Sequence, residues 1–298
     1  MSETHLHYSA KPSNGMAMVK ALILPRTGFN AKHGLPNLQS HWHAANTSAI
    51  ELDNFFETLD IKPTEYLPIT YPHVIAGSMH MNMMTNKVFP IRLLGSLHLK
   101  NRIVQIRQIA RTELIDIDAN VGGFRLTNSG VEFDLVTNVK VNNELVWQET
   151  STFLVRGKFG GKENPSSTKS FELESLSDTT VLGKWHIPES RGREYAKISG
   201  DYNPIHMSPW AAKMFGFKRD IAHGFGVVAQ AIEQSKALTK ISTDDAIQMD
   251  VVFKGPVFLG SDVTIHQNIS QHADRYDIYC GDNERPNICL SLKKLEHE

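Results

Sequence analysis

The sequence lacks several features that would point to a nucleic-acid or membrane function. Lys and Arg number 31 against 32 Asp and Glu, which gives a formal net charge of -1 without any prominent basic run. A nucleic-acid binder would be far more basic. The first residues contain no apolar signal segment and no membrane-length apolar stretch follows. We therefore expect a cytoplasmic protein without stable membrane insertion.

Cysteine is also scarce, with only two in 298 residues. Cys280 and Cys289 could pair across adjacent strands, or they could be buried free thiols. The second alternative is the better prediction for a reducing compartment. Hydrophobic residues at 41% and charged residues at 21% are ordinary for a globular protein, and the length fits two domains or one large one at roughly 150 residues per domain.

A segment rich in Gly, Ser, Lys and Pro divides the chain into nearly equal parts. It spans residues 157–170 and has no apolar period, so we interpret it as a linker. Each part contains an apolar, Gly-containing segment that we interpret as a helix, at residues 73–84 and 221–238, and in the second the apolar residues follow helical spacing. Runs typical of strands follow both segments. The sequence therefore predicts an α+β fold in which a sheet wraps round buried helices.

The N-terminal region carries less information. The run VKALILP within residues 1–35 is typical of a strand, and TTVLGKWHI, which precedes the second helical segment, predicts another strand.

The most informative stretch is residues 193–231, which contains SGDYNPIH followed by AHGFGV. Asn203 and Pro204 are turn formers, so Asp201 and His206 are predicted to lie on a rigid, irregular loop. Gly224 is predicted in the first turn of the second buried helix, where backbone N–H groups have no partner within the helix.

These groups suit the chemistry of a thioester. A carboxylate and an imidazole can hold and deprotonate a water, or return a proton to carbon. Helix-start amides can bind the charge that develops on a thioester oxygen. Each residue alone also has a structural interpretation: Asp201 as a turn residue, His206 as a satisfied core histidine, and His223-Gly224 as the turn into a helix. A metal site is disfavoured because the spacing matches no common zinc signature.

The ordered motifs strongly resemble the MaoC-like dehydratase and (R)-specific enoyl-CoA hydratase family. The resemblance covers roughly residues 180–295 and includes FKGPVFLGSDV at 253–263. The first half is more loosely similar to the N-terminal unit of two-repeat members. The resemblance implies a double hot-dog fold, with a degenerate unit at residues 1–160 and a catalytic unit at 171–298.

The same resemblance implies the activity and the residues responsible for it. Reversible hydration of trans-2-enoyl thioesters, carried by coenzyme A or acyl carrier protein, would use Asp201 and His206 to hold the water. Gly224 would provide the oxyanion-binding amide. No cofactor and no metal are expected. A hot-dog thioesterase and a non-catalytic acyl-thioester or lipid-binding module are the alternatives, and homodimerisation is left open.

The resemblance also implies supporting roles near this site. Asn203 would support the loop, His223 would shape the turn before Gly224, and Phe225 would belong to the same substrate-binding surroundings. Family members often place a small polar residue about two turns past that Gly. Here Ala231 and Ile232 occupy the region, which puts any hydroxyl role of the helix in doubt.

The first half contains a segment that is weakly similar to the SGDYNPIH motif but has no histidine at the position of His206. In LDIKPTEYLP at residues 59–68, Asp60 aligns with Asp201 and Glu65 with His206. We therefore expect the first half to complete the sheet and frame an acyl tunnel without taking part in the chemistry.

Overall fold

A computed structural model describes most of the chain. The described residues are 3–23, 25–46, 49–93, 95–159, 164–170, 179–240, 242, 245–268 and 275–295. Within these described residues, eleven strands form one sheet: β1 Thr4–Tyr8, β2 Leu38–Ala45, β3 Ser96–Gln105, β4 Ile115–Thr127, β5 Gly130–Val141, β6 Glu144–Arg156, β7 Thr179–Ile187, β8 Ile247–Phe253, β9 Ser261–Asn268, β10 Arg275–Cys280 and β11 Ile288–Lys294. The α-helices in these residues are α1 Asn14–Ile23, α2 Ala49–Thr58, α3 Tyr71–Met84, α4 Arg191–Ser199, α5 Pro204–Met207, α6 Pro209–Met214 and α7 Gly224–Ser235.

The sheet order shows an internal two-fold repeat. It runs β1-β2-β4-β5-β6-β3-β8-β11-β10-β9-β7. The first strand after each buried helix, β3 or β8, lies at the centre, and these two strands pair antiparallel from Lys100 opposite Val252 to Gln105 opposite Ile247. One chain therefore joins two similar halves into a continuous sheet, as the sequence predicts.

The two helices at the centre, α3 and α7, are buried almost all round. Eleven residues of α3 and eight of α7 are buried. Both helices pack in one apolar cluster that also includes Trp147 from the first half and Met249 from the second. Burial of apolar surface in this shared core is the main stabilising contribution, and it ties the halves together.

The prediction of a strand in the N-terminal region is wrong at VKALILP. Residues Asn14–Ile23 form helix α1, which lies against α3, where Asn82 Nδ2 donates to the Ser13 carbonyl over 3.3 Å. Ala17 is fully buried there. A short apolar run fits either a strand or a buried helix, and packing decides between them. The strand predicted at TTVLGKWHI is present as β7.

The predicted linker at 157–170 lies partly outside the described residues, at 160–163. Its described part packs on the first half: Asn164 N donates to the Leu126 carbonyl over 3.1 Å, and Ser166 Oγ to Glu132 over 2.8 Å. Residues 171–178 also lie outside the description. The unit boundaries at 160 and 171 therefore stay predictions.

Two further expectations concern thiols and membranes. Cys280 and Cys289 are buried and free, and Cys289 is opposite Asp277 in the register of β10 and β11, so the prediction of free thiols is confirmed. Within the described part of the chain, none of the helices combines the length and apolar character required to cross a bilayer.

Candidate active site

Two short helices set up the predicted loop. Helix α4 ends at Gly200, whose φ of 73° is a left-handed cap that glycine adopts easily. Asn203 then caps α5, accepting from Ile205 N over 3.4 Å, and Pro204 supplies the first residue of that turn. His206 therefore lies on a one-turn helix, where the sequence predicts irregular loop, while Asp201 lies on the connection before it.

The Asp201 carboxylate is held at one oxygen and free at the other. Its Oδ1 accepts from Asn203 N over 3.0 Å, and its own N–H donates to Ser199 Oγ over 3.2 Å. The side chain keeps 41% of its surface exposed. Its Oδ2 is therefore available to a substrate or a water in the adjoining space.

His206 is fixed in the tautomer that a base requires. Its Nδ1 donates to the Ile221 carbonyl over 2.8 Å, which leaves the lone pair on Nε2. Nε2 is 3.9 Å from Asp201 Oδ2, too far for a direct hydrogen bond but suited to a shared water. Burial lowers the pKa of His206, while the Asp201 charge and the Ile221 hydrogen bond oppose that shift. The imidazole is therefore neutral and able to accept a proton.

His223 supports both partners from the start of α7. Its Nε2 donates to the Asp201 carbonyl over 2.9 Å. Its ring stacks on that of His206, with centroids 3.7 Å apart and planes inclined by 26°. Burial, followed by the neighbouring His206, lowers the pKa of His223 well below its ordinary value. His223 therefore remains neutral and acts as a donor to the loop backbone.

Helix α7 begins at Gly224, as predicted. Its backbone φ is not positive, so a side chain would be conformationally allowed. However, a Cβ at this position would lie 2.5 Å from Cε1 of Phe253. The glycine therefore allows an aromatic ring to pack close beside the first amides of the helix, which have no partner within the helix.

The Asp201 and His206 side chains face a cavity of about 620 Å³ that both halves enclose. Gly224 lies on its wall as well. The first half contributes the face of α3 that carries Val74, Gly77, Met81 and Met84. Phe225 also lines the cavity and stacks on His73 of α3 at a centroid distance of 3.7 Å. The structure thus brings all six of the predicted site residues to one region and adds a wall from the first half.

The structure contains a second imidazole–carboxylate pair, which the sequence does not predict. His73 Nδ1 hydrogen bonds Glu149, which also accepts from Asn101 Nδ2 and, over 2.9 Å, from Ser151 Oγ. The Glu149 side chain is fully buried, yet its interactions with His73 hold the pKa of its carboxyl at about 2 against the opposing effect of burial. The alternating pattern of β6 places Glu149 in phase with buried Trp147, and that period was the available signal.

The first-half segment that is weakly similar to the motif does not form a comparable site. Glu65 is exposed, and its carbonyl accepts from Arg111 N over 3.0 Å. Asp60 instead forms an ion pair across the halves, with Oδ2 3.2 Å from Arg191 Nη2. Residues 69–70, both described, connect this segment directly to α3, whereas the second-half motif runs into α5 and is followed by α6.

Asp201, His206 and His223 could be read as a metal triad because their ligand atoms lie within 4.8 Å of one another. The hydrogen bonds favour another interpretation. His223 Nε2 carries the proton that it donates to the Asp201 carbonyl, and a protonated ring nitrogen has no lone pair for a cation. The geometry therefore suits acid–base chemistry better than metal ligation.

Comparison with known proteins gives a consistent assignment. Residues 168–282 match the family described as MaoC like domain. The chain is 35% identical over 195 residues to the 3-hydroxyacyl-thioester dehydratase X of Mycobacterium tuberculosis, covering 65% of this chain and 66% of that protein. A crystal structure of HtdX from the same organism aligns with a TM-score of 0.71 and 24% identity, covering 86% of this chain and 100% of that one.

The shape of the whole chain also has a known counterpart. A Mycobacterium tuberculosis protein described as a double hotdog fold aligns with a TM-score of 0.52 and 11% identity, over 99% of this chain and 96% of that one. At this identity the likeness concerns the fold alone. The predicted double hot-dog fold is confirmed.

Proposed function

Because the chain belongs to the MaoC-like dehydratase family, we propose that it is a hydro-lyase that adds water reversibly to trans-2-enoyl thioesters. The product is the (R)-3-hydroxyacyl thioester. The observation that carries this proposal is the 3.9 Å separation of His206 Nε2 and Asp201 Oδ2 at the wall of the shared cavity. Two acceptors at that distance can bind one water between them.

The chemistry needs one proton relay and one oxyanion site. His206 Nε2 takes a proton from the water while the water oxygen bonds to C3 of the enoyl group. Charge develops on the thioester oxygen, and the amides at Gly224 and the next residue donate to it. The proton then passes from His206 to C2, so that the water has supplied hydroxyl to C3 and hydrogen to C2. Asp201 accepts the second hydrogen of the water and orients its attack.

The first half has a binding role in this proposal. The acyl chain would lie along α3, where Val74, Met81 and Met84 provide an apolar wall. Methionine adapts well to flexible chains. Asn203 and His223 hold the Asp201 loop by the hydrogen bonds described above, and Phe225 connects the start of α7 to α3 through His73.

The proposed partners are acyl thioesters of coenzyme A or acyl carrier protein, and a second copy of the chain as a homodimer. Parallel assays with the two carriers and a sedimentation measurement test these points separately. The buried free thiols Cys280 and Cys289 support the cytoplasm as the proposed compartment.

Crotonyl-CoA tests the reaction class. Wild type should remove the enoyl absorbance without releasing free thiol, and chiral analysis of the product should give the (R)-3-hydroxy acid. Release of thiol would indicate a thioesterase, and binding without either change would indicate a non-catalytic module. Either result would overturn the proposal. The Asp201→Asn variant, assayed at the same concentration, controls for contaminating hydratase.

A further inference from the structure

Arg191 is a buried cation with unused donors. Its side chain, on the first turn of α4, is only 9% exposed. Nη2 donates to Asp60 Oδ2 over 3.2 Å. Glu194 Oε2 lies 3.6 Å from Nε, beyond hydrogen-bond distance. Nε and Nη1 are buried without a hydrogen-bond partner. Buried guanidinium donors left unpaired are costly, so their retention calls for an acceptor.

An acceptor in the same small cavity is Nδ1 of His223. This atom is also buried without a partner, and it carries a lone pair because the proton of the ring is on Nε2, where it is donated to the Asp201 carbonyl. Arg191 and His223 line the same small cavity of about 10 Å³, together with Tyr195, Gly226 and Gln230. A cavity of that size is close to the minimum for one water.

We infer that Arg191 is a positioning residue: its guanidinium donates, through one water in this cavity, to Nδ1 of His223. The inference rests on the proposed hydratase function and extends it to a residue remote from the substrate cavity. The water accepts from Arg191 and donates to Nδ1, so it keeps the His223 proton on Nε2. Arg191 itself does not line the substrate cavity.

The His223 tautomer affects the reacting side chains through its hydrogen bond to the Asp201 backbone carbonyl. In the other tautomer, the Nε2 lone pair would face the Asp201 carbonyl oxygen at the present 2.9 Å, which is repulsive. The loop would move, and the 3.9 Å spacing between Asp201 Oδ2 and His206 Nε2 would change. Because Asp60 belongs to the first half, this arrangement makes the geometry of the second-half site depend on contact between the halves.

The test uses Arg191→Gln in the full chain, with Arg193→Gln as the matched control. Arg193 is on the same helix but exposed. For Arg191→Gln we expect kcat with crotonyl-CoA to fall about tenfold or more, since small displacements at a reacting centre are costly, with KM within about twofold. Heteronuclear NMR of labelled histidine should show His223 losing its pure Nε2-protonated form. Arg193→Gln should match wild type in both measurements.

Asp60→Asn provides a second variant should Arg191→Gln fail to fold. The Asp60 side chain is 70% exposed, so its replacement leaves the core intact. It should shift the same NMR signal and lower kcat by about two- to fivefold, a smaller displacement than loss of the guanidinium. Unchanged His223 signals in the folded variants, or a rise in KM at constant kcat, would overturn the inference.

These outcomes are separate from those that decide the proposed function. If Asp201→Asn is inactive while Arg191→Gln retains normal kcat, the positioning role fails and the hydratase function stands. If Asp201→Asn has normal activity, the proposed function fails, whatever the NMR signals of His223 show.

Discussion

Each half of the molecule places an imidazole beside a carboxylate, and both imidazoles line the shared cavity, but the two pairs differ in the exposure of the carboxylate and in its contact with the ring. In the second half, Asp201 is 41% exposed, both Asp201 and His206 line the cavity, and Asp201 Oδ2 lies 3.9 Å from His206 Nε2, beyond hydrogen-bond distance. In the first half, Glu149 is fully buried and bonded directly to His73. The same two chemical groups therefore form an open pair in one half and a closed pair in the other.

The protonation of the two pairs follows from their surroundings. Burial lowers the pKa of His206, so that its ring is a neutral base. The Glu149 carboxyl has its pKa held at about 2 by His73 and other donors, so it stays ionised. The closed pair has no space for a water between its members. We propose that the second-half pair suits catalysis because the α4–α5 connection keeps its two members apart and accessible.

Substitutions in the second-half pair should have the largest effect on kcat. Asp201→Asn and His206→Ala should each lower kcat by at least about a hundredfold, the low end for a general acid–base group. Because both residues are proposed to act on one water, the double variant should be little worse than the worse single variant. Steady-state kinetics with crotonyl-CoA, with circular dichroism as the folding control, measures both. Strictly multiplicative losses would contradict a shared water.

The oxyanion position should be nearly as sensitive. Gly224→Val should lower kcat by about a hundredfold, because its side chain displaces Phe253 and obstructs the helix-start amides. Because the backbone φ of Gly224 permits a side chain, the variant should keep much of the melting temperature of wild type while losing most of its activity. Gly255→Ala is the control: it lines the same cavity, and its Cβ would meet only Asn287 Nδ2 at 3.5 Å. A stable Gly224→Val enzyme with ordinary activity would remove Gly224 from the mechanism.

The pH dependence should distinguish the neutral base from a charged one. His206 has its pKa lowered from 6.5, mainly by burial, so kcat should hold through neutral pH and fall only below 6.5. Between pH 6.5 and the lowered pKa of folded His206, the unfolded chain binds a proton that the folded chain does not. The free energy of unfolding therefore also decreases as the pH drops through this range. Asp201→Asn should move the His206 titration further down, since the Asp201 charge raises that pKa. An NMR titration showing an upward shift would contradict this.

The closed pair should affect stability much more than rate. Glu149→Gln disrupts the hydrogen bonds that the fully buried carboxylate accepts from Asn101 and Ser151 and makes with His73, and it should cost about 3 kcal/mol of unfolding free energy, measured by urea denaturation. At a temperature where the variant is folded, kcat should stay within about threefold of wild type. Glu65→Gln, at an exposed position of the same half, should change neither quantity. A hundredfold loss of kcat in folded Glu149→Gln would give the first half a part in the chemistry.

The sequence predicts those elements whose conformation is determined by residues close to one another in the chain. The Asn203-Pro204 cap and the start of α7 at Gly224 follow from residues within a turn of each other, so the site motif was readable. The run at α1 was assigned to a strand because its helical state depends on packing against α3. The sequence does not predict the partners of Glu149 and Arg191, because His73 is 76 residues from Glu149 and Asp60 is 131 residues from Arg191. Contacts at such separations leave no local pattern.

The most direct test of the central claim is to follow crotonyl-CoA hydration in deuterium oxide with wild type and Asp201→Asn side by side. Wild type is expected to form (R)-3-hydroxybutyryl-CoA with a single deuterium at C2, seen by NMR of the product. Asp201→Asn, with the same melting temperature, should form at least about a hundredfold less of it per unit time. Equal rates of labelled product from the two proteins would contradict the claim that the Asp201–His206 pair activates the water.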